Sequence, residues 1–223
     1  MEGTAPIILT IANAKGGVGK STLVYHLACC YSKQFGDQVG VVDYDNQQSI
    51  QQLVNNFETS RDVPFDLINS KKLKNVSDLL KRTDLDVVIV DTPPVLVKGV
   101  KEILDITNVL LIPITPSSRD EQSFGTAVGV YKRAYDANPD MMVRIVLNRV
   151  KGRSLKSREI RREVANNDAL DWLQVMNTEL KDRVVHQTFD DEVDTLWETR
   201  DRKAQLEVEK LAREIIANLK GDQ

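Results

Sequence analysis

Asn13-Ala14-Lys15-Gly16-Gly17-Val18-Gly19-Lys20-Ser21-Thr22 stands between an apolar run, Ile7 to Ala12, and a stretch of helical character, Ser21 to Gln34. The order is strand, glycine-rich loop, helix. Glycines let such a loop curl until successive backbone N–H groups point inward at phosphate oxygens, and the helix N-terminus behind it adds partial positive charge. The pattern G-x-x-x-x-G-K-[ST] assigns Lys20 to the β- and γ-phosphates and the Ser21 hydroxyl to Mg²⁺. Gly16, Gly17, Val18, Gly19 and Thr22 complete the cradle. The first glycine of the pattern is replaced by Ala14, and the loop holds a second lysine, Lys15.

Further short apolar runs follow at Val39 to Val42, Val87 to Val90, Val109 to Ile114 and Met142 to Leu147, each bounded by polar or turn residues. Runs apolar on both faces suit a parallel sheet covered by helices on either side, because alternation is lost when both faces are buried. The expectation is an α/β fold with a mostly parallel central sheet and helices on both faces. Helical segments are expected at Ser21 to Gln34, briefly after Gln48, and at Val76 to Arg82, Val97 to Asp105, Glu121 to Ala137, Ser157 to Asn167 and Ala204 to Leu219. The last places Ala204, Val208, Leu211, Ile215 and Leu219 on one stripe, as a docking helix requires. No Pro/Gly/Ser-rich linker divides the chain, so residues 1–223 read as one domain.

Composition narrows the function classes. The 223 residues are 41% hydrophobic and 28% charged, the balance of a globular chain, and the net charge of −3 excludes a uniformly basic surface for nucleic acid. Two adjacent cysteines, Cys29 and Cys30, make no disulfide framework, and the N-terminus lacks a basic signal-peptide region. A cytoplasmic protein without a membrane-spanning helix is expected. His26 and His186 stand isolated in the sequence and are given no role.

Two acidic motifs close apolar runs: Val41-Val42-Asp43-Tyr44-Asp45-Asn46-Gln47-Gln48-Ser49, and Val88-Ile89-Val90-Asp91-Thr92-Pro93-Pro94. Both fall at C-terminal strand ends, where open parallel sheets bind ligands. Phosphoryl transfer asks for a metal shell and an oriented water rather than covalent chemistry, and carboxylates there suit both tasks.

The K-G-G-x-G-K-[ST] box resembles the deviant Walker A loop of the ParA/MinD family of P-loop ATPases. The resemblance implies an ATP- and Mg²⁺-dependent ATPase in which Lys15 crosses a dimer interface to the nucleotide of the facing subunit. It further implies that Asp91 holds Mg²⁺ through water with Ser21, that Asp43 sits near the metal waters, and that Asp45 orients the attacking water. The catalytic set is then Lys15, Lys20 and Asp45. Asn46 departs from the family's proline in the D-x-D-P-Q box. Ile112-Pro113-Ile114-Thr115-Pro116-Ser117-Ser118 and the strand ending Val146-Leu147-Asn148-Arg149 are similar to segments that flank the base in the family. An asparagine offers both donor and acceptor to an adenine edge, so Asn148 is the adenine candidate, with a strand-end turn as the alternative.

Between Arg144 and Arg162 lie eight Arg or Lys residues and one acid, Glu159, a local net charge of +7. That is the footprint of sequence-independent phosphate-backbone binding, with a solvated helix face as the plainer reading. The expected DNA contacts are Arg149, Lys151, Arg153, Lys156, Arg158, Arg161 and Arg162. The terminal helix, with Glu207, Glu209 and Glu214 and no aromatic residue, is unlike an interfacial membrane anchor. Vicinal cysteines on one helix do not suit metalloid or iron–sulfur relatives. With its loop close to residue 1, the chain resembles the short, ParF-like partition branch without an N-terminal DNA-binding domain. What this implies is a nucleoid-associated DNA-segregation ATPase: a homodimer with ATP, bound to non-specific DNA and stimulated by a small centromere-binding adaptor. The alternatives are a positioning ATPase for a protein cargo and a metabolic P-loop ligase.

Overall fold

In the computed structural model, residues 4–45, 47–56, 63–94, 98–116, 121–186 and 195–221 are described. Seven strands, β1 (Ile7–Ile11), β2 (Val39–Asp43), β3 (Asp66–Asn69), β4 (Val87–Asp91), β5 (Val109–Ile114), β6 (Met142–Val150) and β7 (Leu173–Lys181), pair in the order β3-β2-β4-β1-β5-β6-β7. Every pairing is parallel. Successive strands therefore need crossovers, which α1 (Lys20–Cys30), α2 (Ser49–Asn56), α3 (Lys98–Leu104), α4 (Glu121–Ala137) and α5 (Leu155–Ala165) supply except between β3 and β4, where 3₁₀ turns serve, with α6 (Arg202–Lys220) closing the chain.

Alternate residues of each central strand enter different cores. Val87 and Ile89 of β4 pack with Leu23, Leu27 of α1 and Val208, Leu211 of α6 on one face, while Val88 and Val90 pack with Ile8, Val42, Leu79 and Ile103 on the other. A third cluster joins Leu110, Ile112, Val143 and Ile145 to Tyr131 of α4. The two-sided burial inferred from the unbroken apolar runs is thus the physical arrangement.

Two strands were not foreseen. In β3, Asp66-Leu67-Ile68-Asn69 is too short and polar-flanked to read as buried, and in β7, Leu173-Gln174-Val175-Met176-Asn177-Thr178-Glu179-Leu180-Lys181 carries an edge strand's mixed pattern. The expected helix Val76 to Arg82 is a 3₁₀ run, Val76–Lys81, and the first helix ends at Cys30, passing into a π-turn, Tyr31–Phe35, before Gly36 in left-handed conformation. Cys29 and Cys30 are fully buried, and burial pushes both thiols up to about 12, so they act as small core residues.

The acids of the terminal helix have structural employment. Glu214 accepts from Asn177 N and Thr178 N at 2.5 and 2.8 Å, and Glu207 accepts from Lys181 N at 3.1 Å. Both cover otherwise exposed backbone donors of β7, the last strand of the sheet, which guards that edge against pairing with another chain. Glu209 accepts from Trp197 Nε1 at 3.0 Å. Among the described residues no helix is long and apolar enough to cross a membrane.

Candidate nucleotide-binding site

The loop between β1 and α1 is held from outside by its neighbours. Asn13 donates Nδ2 to Pro113 O at 2.7 Å and accepts from Lys15 N at 2.9 Å, tying the loop's entry to the end of β5. Gly17 and Gly19 adopt φ of +74° and +86°, values that only glycine reaches without strain. Gly19 caps α1 with no side-chain acceptor on the first-turn N–H groups, so those donors remain for an anion. Lys20 is buried, and its Nζ makes one long contact, 3.4 Å, to Lys15 O. Burial lowers the Lys20 pKa while Asp91 and Asp45 raise it, which leaves an ammonium poised between carboxylates and the loop. Lys15 is half-buried at the rim beside exposed Gly16 and Gly17.

Strand register brings the carboxylates to the same level. Asp43 of β2 is the in-register neighbour of Asp91 of β4, which in turn pairs with Ile11 of β1. Asp91 is completely buried, and neither carboxylate oxygen has a hydrogen-bond partner of good geometry; the Ser21 hydroxyl approaches without completing one. Burial pushes the Asp91 carboxyl up to about 7, Asp43 and Asp45 add to the rise, and Ser21 and Lys20 oppose it. An orphaned buried carboxylate beside a hydroxyl is a fit for a hard divalent cation, and Mg²⁺ commonly takes one or two protein oxygens and completes its shell from phosphates and water. Among the described residues no three His, Cys, Asp or Glu side chains form a preformed cage.

Asp43 is differently occupied. Its Oδ1 accepts from Asp45 N at 3.1 Å, and its Oδ2 accepts from Ile50 N and Gln51 N at 3.0 and 3.2 Å. It therefore ties the Asp45 loop to the first turn of α2, and burial is the main cause that raises its pKa. Asp45, half-exposed, accepts from Gln47 N at 2.9 Å and lines the cleft; Asn46 lies outside the described residues.

The cleft holds about 650 Å³ and runs from Gly16, Lys20, Ser21 and Thr22 past Asp45 to Asn148, Arg149 and the end of β7. The volume is of the size of a small-ligand pocket. Asn148 donates Nδ2 to Val18 O at 2.8 Å and accepts from Arg149 N at 3.0 Å, so what remains for a base edge is its second N–H and second lone pair. Pro113 anchors Asn13, while Ser117 and Ser118 of the same segment lie outside the described residues. The far wall is Leu180 to Arg183 with His186, all absent from the sequence expectation because β7 was. The two histidines read as isolated are neighbours: His186 Nδ1 and His26 Nε2 lie 3.1 Å apart, and both face this cleft. Pairing α1 with the segment after β7 brings together residues 160 positions apart, which no sequence spacing signals.

The basic segment divides in space. Arg144 donates to Asn218 and Val143 O, and Arg161 donates to Met176 O and Asn177 O and pairs with Glu179, so both brace the fold. Arg149 donates to Gly17 O. Lys151 and Lys156 pair with Asp182 and Glu159. Arg153, just before α5, and Arg158 and Arg162 on it are exposed and form no ion pair among the described residues.

A seven-stranded parallel sheet with a glycine-rich loop at a helix N-terminus, a buried lysine closing that loop and a buried carboxylate on the neighbouring strand defines a P-loop nucleotide-binding protein. Residues 9–188 match the CobQ/CobB/MinD/ParA nucleotide binding domain, and the chain belongs to that family. It is 25% identical over 220 residues to the maintenance of carboxysome distribution protein A of Halothiobacillus neapolitanus, covering 97% of this chain and 99% of the relative. The fold is shared with a plasmid partition protein of Borrelia burgdorferi bound to AMPPNP (TM-score 0.70, 20% identity, 96% and 99% of the two chains). It is also shared with pNOB8 ParA bound to nonspecific DNA (TM-score 0.60, 18% identity, 98% and 100%).

Proposed function

We propose that the chain is an ATP-hydrolysing positioning protein of the ParA type, which closes as a homodimer on Mg·ATP and rides non-specific DNA. The observation that carries this reading is the second lysine, Lys15, at the exposed rim of a loop whose other lysine is buried for its own nucleotide. In the proposed dimer Lys15 reaches the phosphates of the facing subunit, Lys20 holds those of its own, and Asp45 orients the attacking water. Ser21 and Asp91 would hold Mg²⁺, with Asp43 setting the loop that carries Asp45. The ion would neutralise charge on the β- and γ-phosphates. Asn148 keeps its remaining donor and acceptor for adenine.

Arg153, Arg158 and Arg162, with Lys151 and Lys156 beside them, supply the DNA face. Each phosphate neutralised releases counterions, so binding must weaken steeply with salt. The deciding measurement is retention on non-specific duplex DNA with ATP, ADP or no nucleotide across a salt series. The expected result is retention with ATP alone, falling with salt, and lost when Arg153, Arg158 and Arg162 are all changed to Ala. Retention independent of nucleotide, or none in any state, would sink the DNA-riding reading. A centromere-binding adaptor that stimulates hydrolysis follows from the partition branch. The end-to-end match to a carboxysome-distribution protein favours a second reading, in which the same DNA-riding cycle positions a protein cargo.

A further inference from the structure

Two non-glycine residues among those described adopt left-handed backbone, Gln48 (φ +51°) and Arg149 (φ +56°). The second lies where β6 loses regular register with β7, between Leu147 and Val150. Irregularities of this kind re-aim a side chain. Here the guanidinium is aimed at the phosphate loop: Arg149 Nη1 donates to Gly17 O at 3.0 Å, and Asn148 Nδ2 donates to Val18 O at 2.8 Å. Consecutive residues of one strand thus grip consecutive carbonyls of the loop. In a planar trans peptide the C=O and the following N–H point in opposite directions. Holding Gly17 O and Val18 O outward therefore turns the N–H groups of Val18 and Gly19 to the opposite side, where an anion nest needs them.

We propose that Arg149 is a positioning residue for the phosphate site, acting through the Gly17–Val18 peptide: it fixes that unit and, being cationic, polarises it, so that the Val18 N–H is presented as a stronger donor to an oligophosphate. The two grips differ in kind. Asn148 offers a neutral amide, whereas Arg149 brings a permanent charge, and hydrogen bonds in line polarise one another. On its other side Arg149 Nε faces Asp182 Oδ1 at 3.9 Å, and Asp182 N donates to Val150 O at 3.1 Å, so the guanidinium is held between the end of β7 and the loop. An arginine kept in left-handed backbone persists where the surroundings over-determine it, and such residues cluster at binding sites. The sequence pattern grouped Arg149 with DNA contacts; its hydrogen bond directs it to the nucleotide cleft instead.

The inference rests on the reading of this cleft as a nucleotide site, and the test separates the two. Dissociation constants for ADP and for inorganic pyrophosphate are measured by competition against a fluorescent ADP, for the full chain and for Arg149→Ala, Arg149→Lys and Arg149→Gly, together with each protein's melting temperature without ligand. Glycine suits the local φ, which keeps one variant free of backbone strain should the alanine variant fold poorly. The expected result is an affinity loss of about tenfold, some 1.4 kcal/mol, for ADP and pyrophosphate alike in Ala and Gly, with partial recovery in Lys, which keeps the charge and one donor. Unchanged pyrophosphate affinity would overturn the inference, as would losses that track the melting temperature across the three variants. If the unmodified chain binds neither ligand, the nucleotide reading itself falls, and the inference with it.

Discussion

Asp91 shows how a single carboxylate can be placed against stability. Buried without partners and pushed up to about 7, it folds more readily protonated than charged. Between an ordinary carboxylate pKa of about 3.9 and that raised value, the folded chain keeps a proton that the unfolded chain releases. Its contribution to stability therefore falls as pH rises through this window and is flat above it. Asp91→Asn mimics the neutral form, so at pH 8 the ligand-free variant should be more stable than the parent by up to about 4 kcal/mol, the full conversion of the shift. The same variant should lose the strengthening of nucleotide binding by Mg²⁺. Denaturant unfolding at pH 5 and pH 8 with titration of ADP with and without Mg²⁺ checks both, and a variant less stable at pH 8 would contradict the account. Lys20 and Ser21 were legible because a loop of fixed spacing needs them; the opposed burial of Asp91 was not, since a strand-end aspartate reads the same whether solvated or orphaned. Asp43 makes the same point: its position was legible, but its engagement with Ile50 N and Gln51 N depends on where α2 begins.

At the scale of elements, what the sequence left unreadable is the wall formed by β7 and the segment after it. The central strands declare themselves by unbroken apolar runs, whereas β7 sends Met176 and Leu180 to one core and Leu173 and Val175 to another with polar residues between them, and its outer donors are covered by Glu207 and Glu214 of α6. That wall meets α1 through His26 and His186. Burial, and then His186, hold the His26 pKa well below its usual value; burial also lowers His186, with Arg183 acting in the same sense and Glu207, Asp201 and Asp182 against it. For a histidine depressed in the folded state, stability is fully present above the unfolded value of about 6.5 and is lost as pH falls below it, by about 1.4 kcal/mol per unit for each such group. The pair's contribution should therefore decline below pH 6.5, against the opposite slope of Asp91 over the same range, so relative to the parent the melting temperature of His26→Asn, which stays neutral, should gain as pH falls. Equal slopes in parent and variant between pH 7 and 5 would remove the pair from the account.

For the whole molecule, the glycine-rich loop, Lys20 and the carboxylates gather at the C-terminal edge of the sheet, and a second lysine stands at the rim. Lys20 is enclosed between its own loop and Asp91, while Lys15 stands at the rim with Gly16 and Gly17 exposed beside it. A cation at a rim gains most where a second body excludes water, because its interaction with phosphate strengthens as the dielectric falls. The two lysines should then separate binding from assembly. Lys20→Ala should abolish nucleotide binding, and a monomer follows as a consequence. Lys15→Ala should still bind ATP, with an affinity within about tenfold of the parent, yet sediment as a monomer. Asp45→Ala, which leaves both lysines in place, should accumulate an ATP dimer that hydrolyses slowly. Sedimentation velocity with ATP and Mg²⁺, paired with phosphate release, orders the three variants. DNA retention should follow the dimer: absent in both lysine variants and prolonged in Asp45→Ala. A Lys15→Ala protein that dimerises with ATP as the parent does would confine that lysine to its own subunit, and the exposed arginines of α5 would then have to act from a monomer, whose few phosphate contacts give a correspondingly shallow salt dependence.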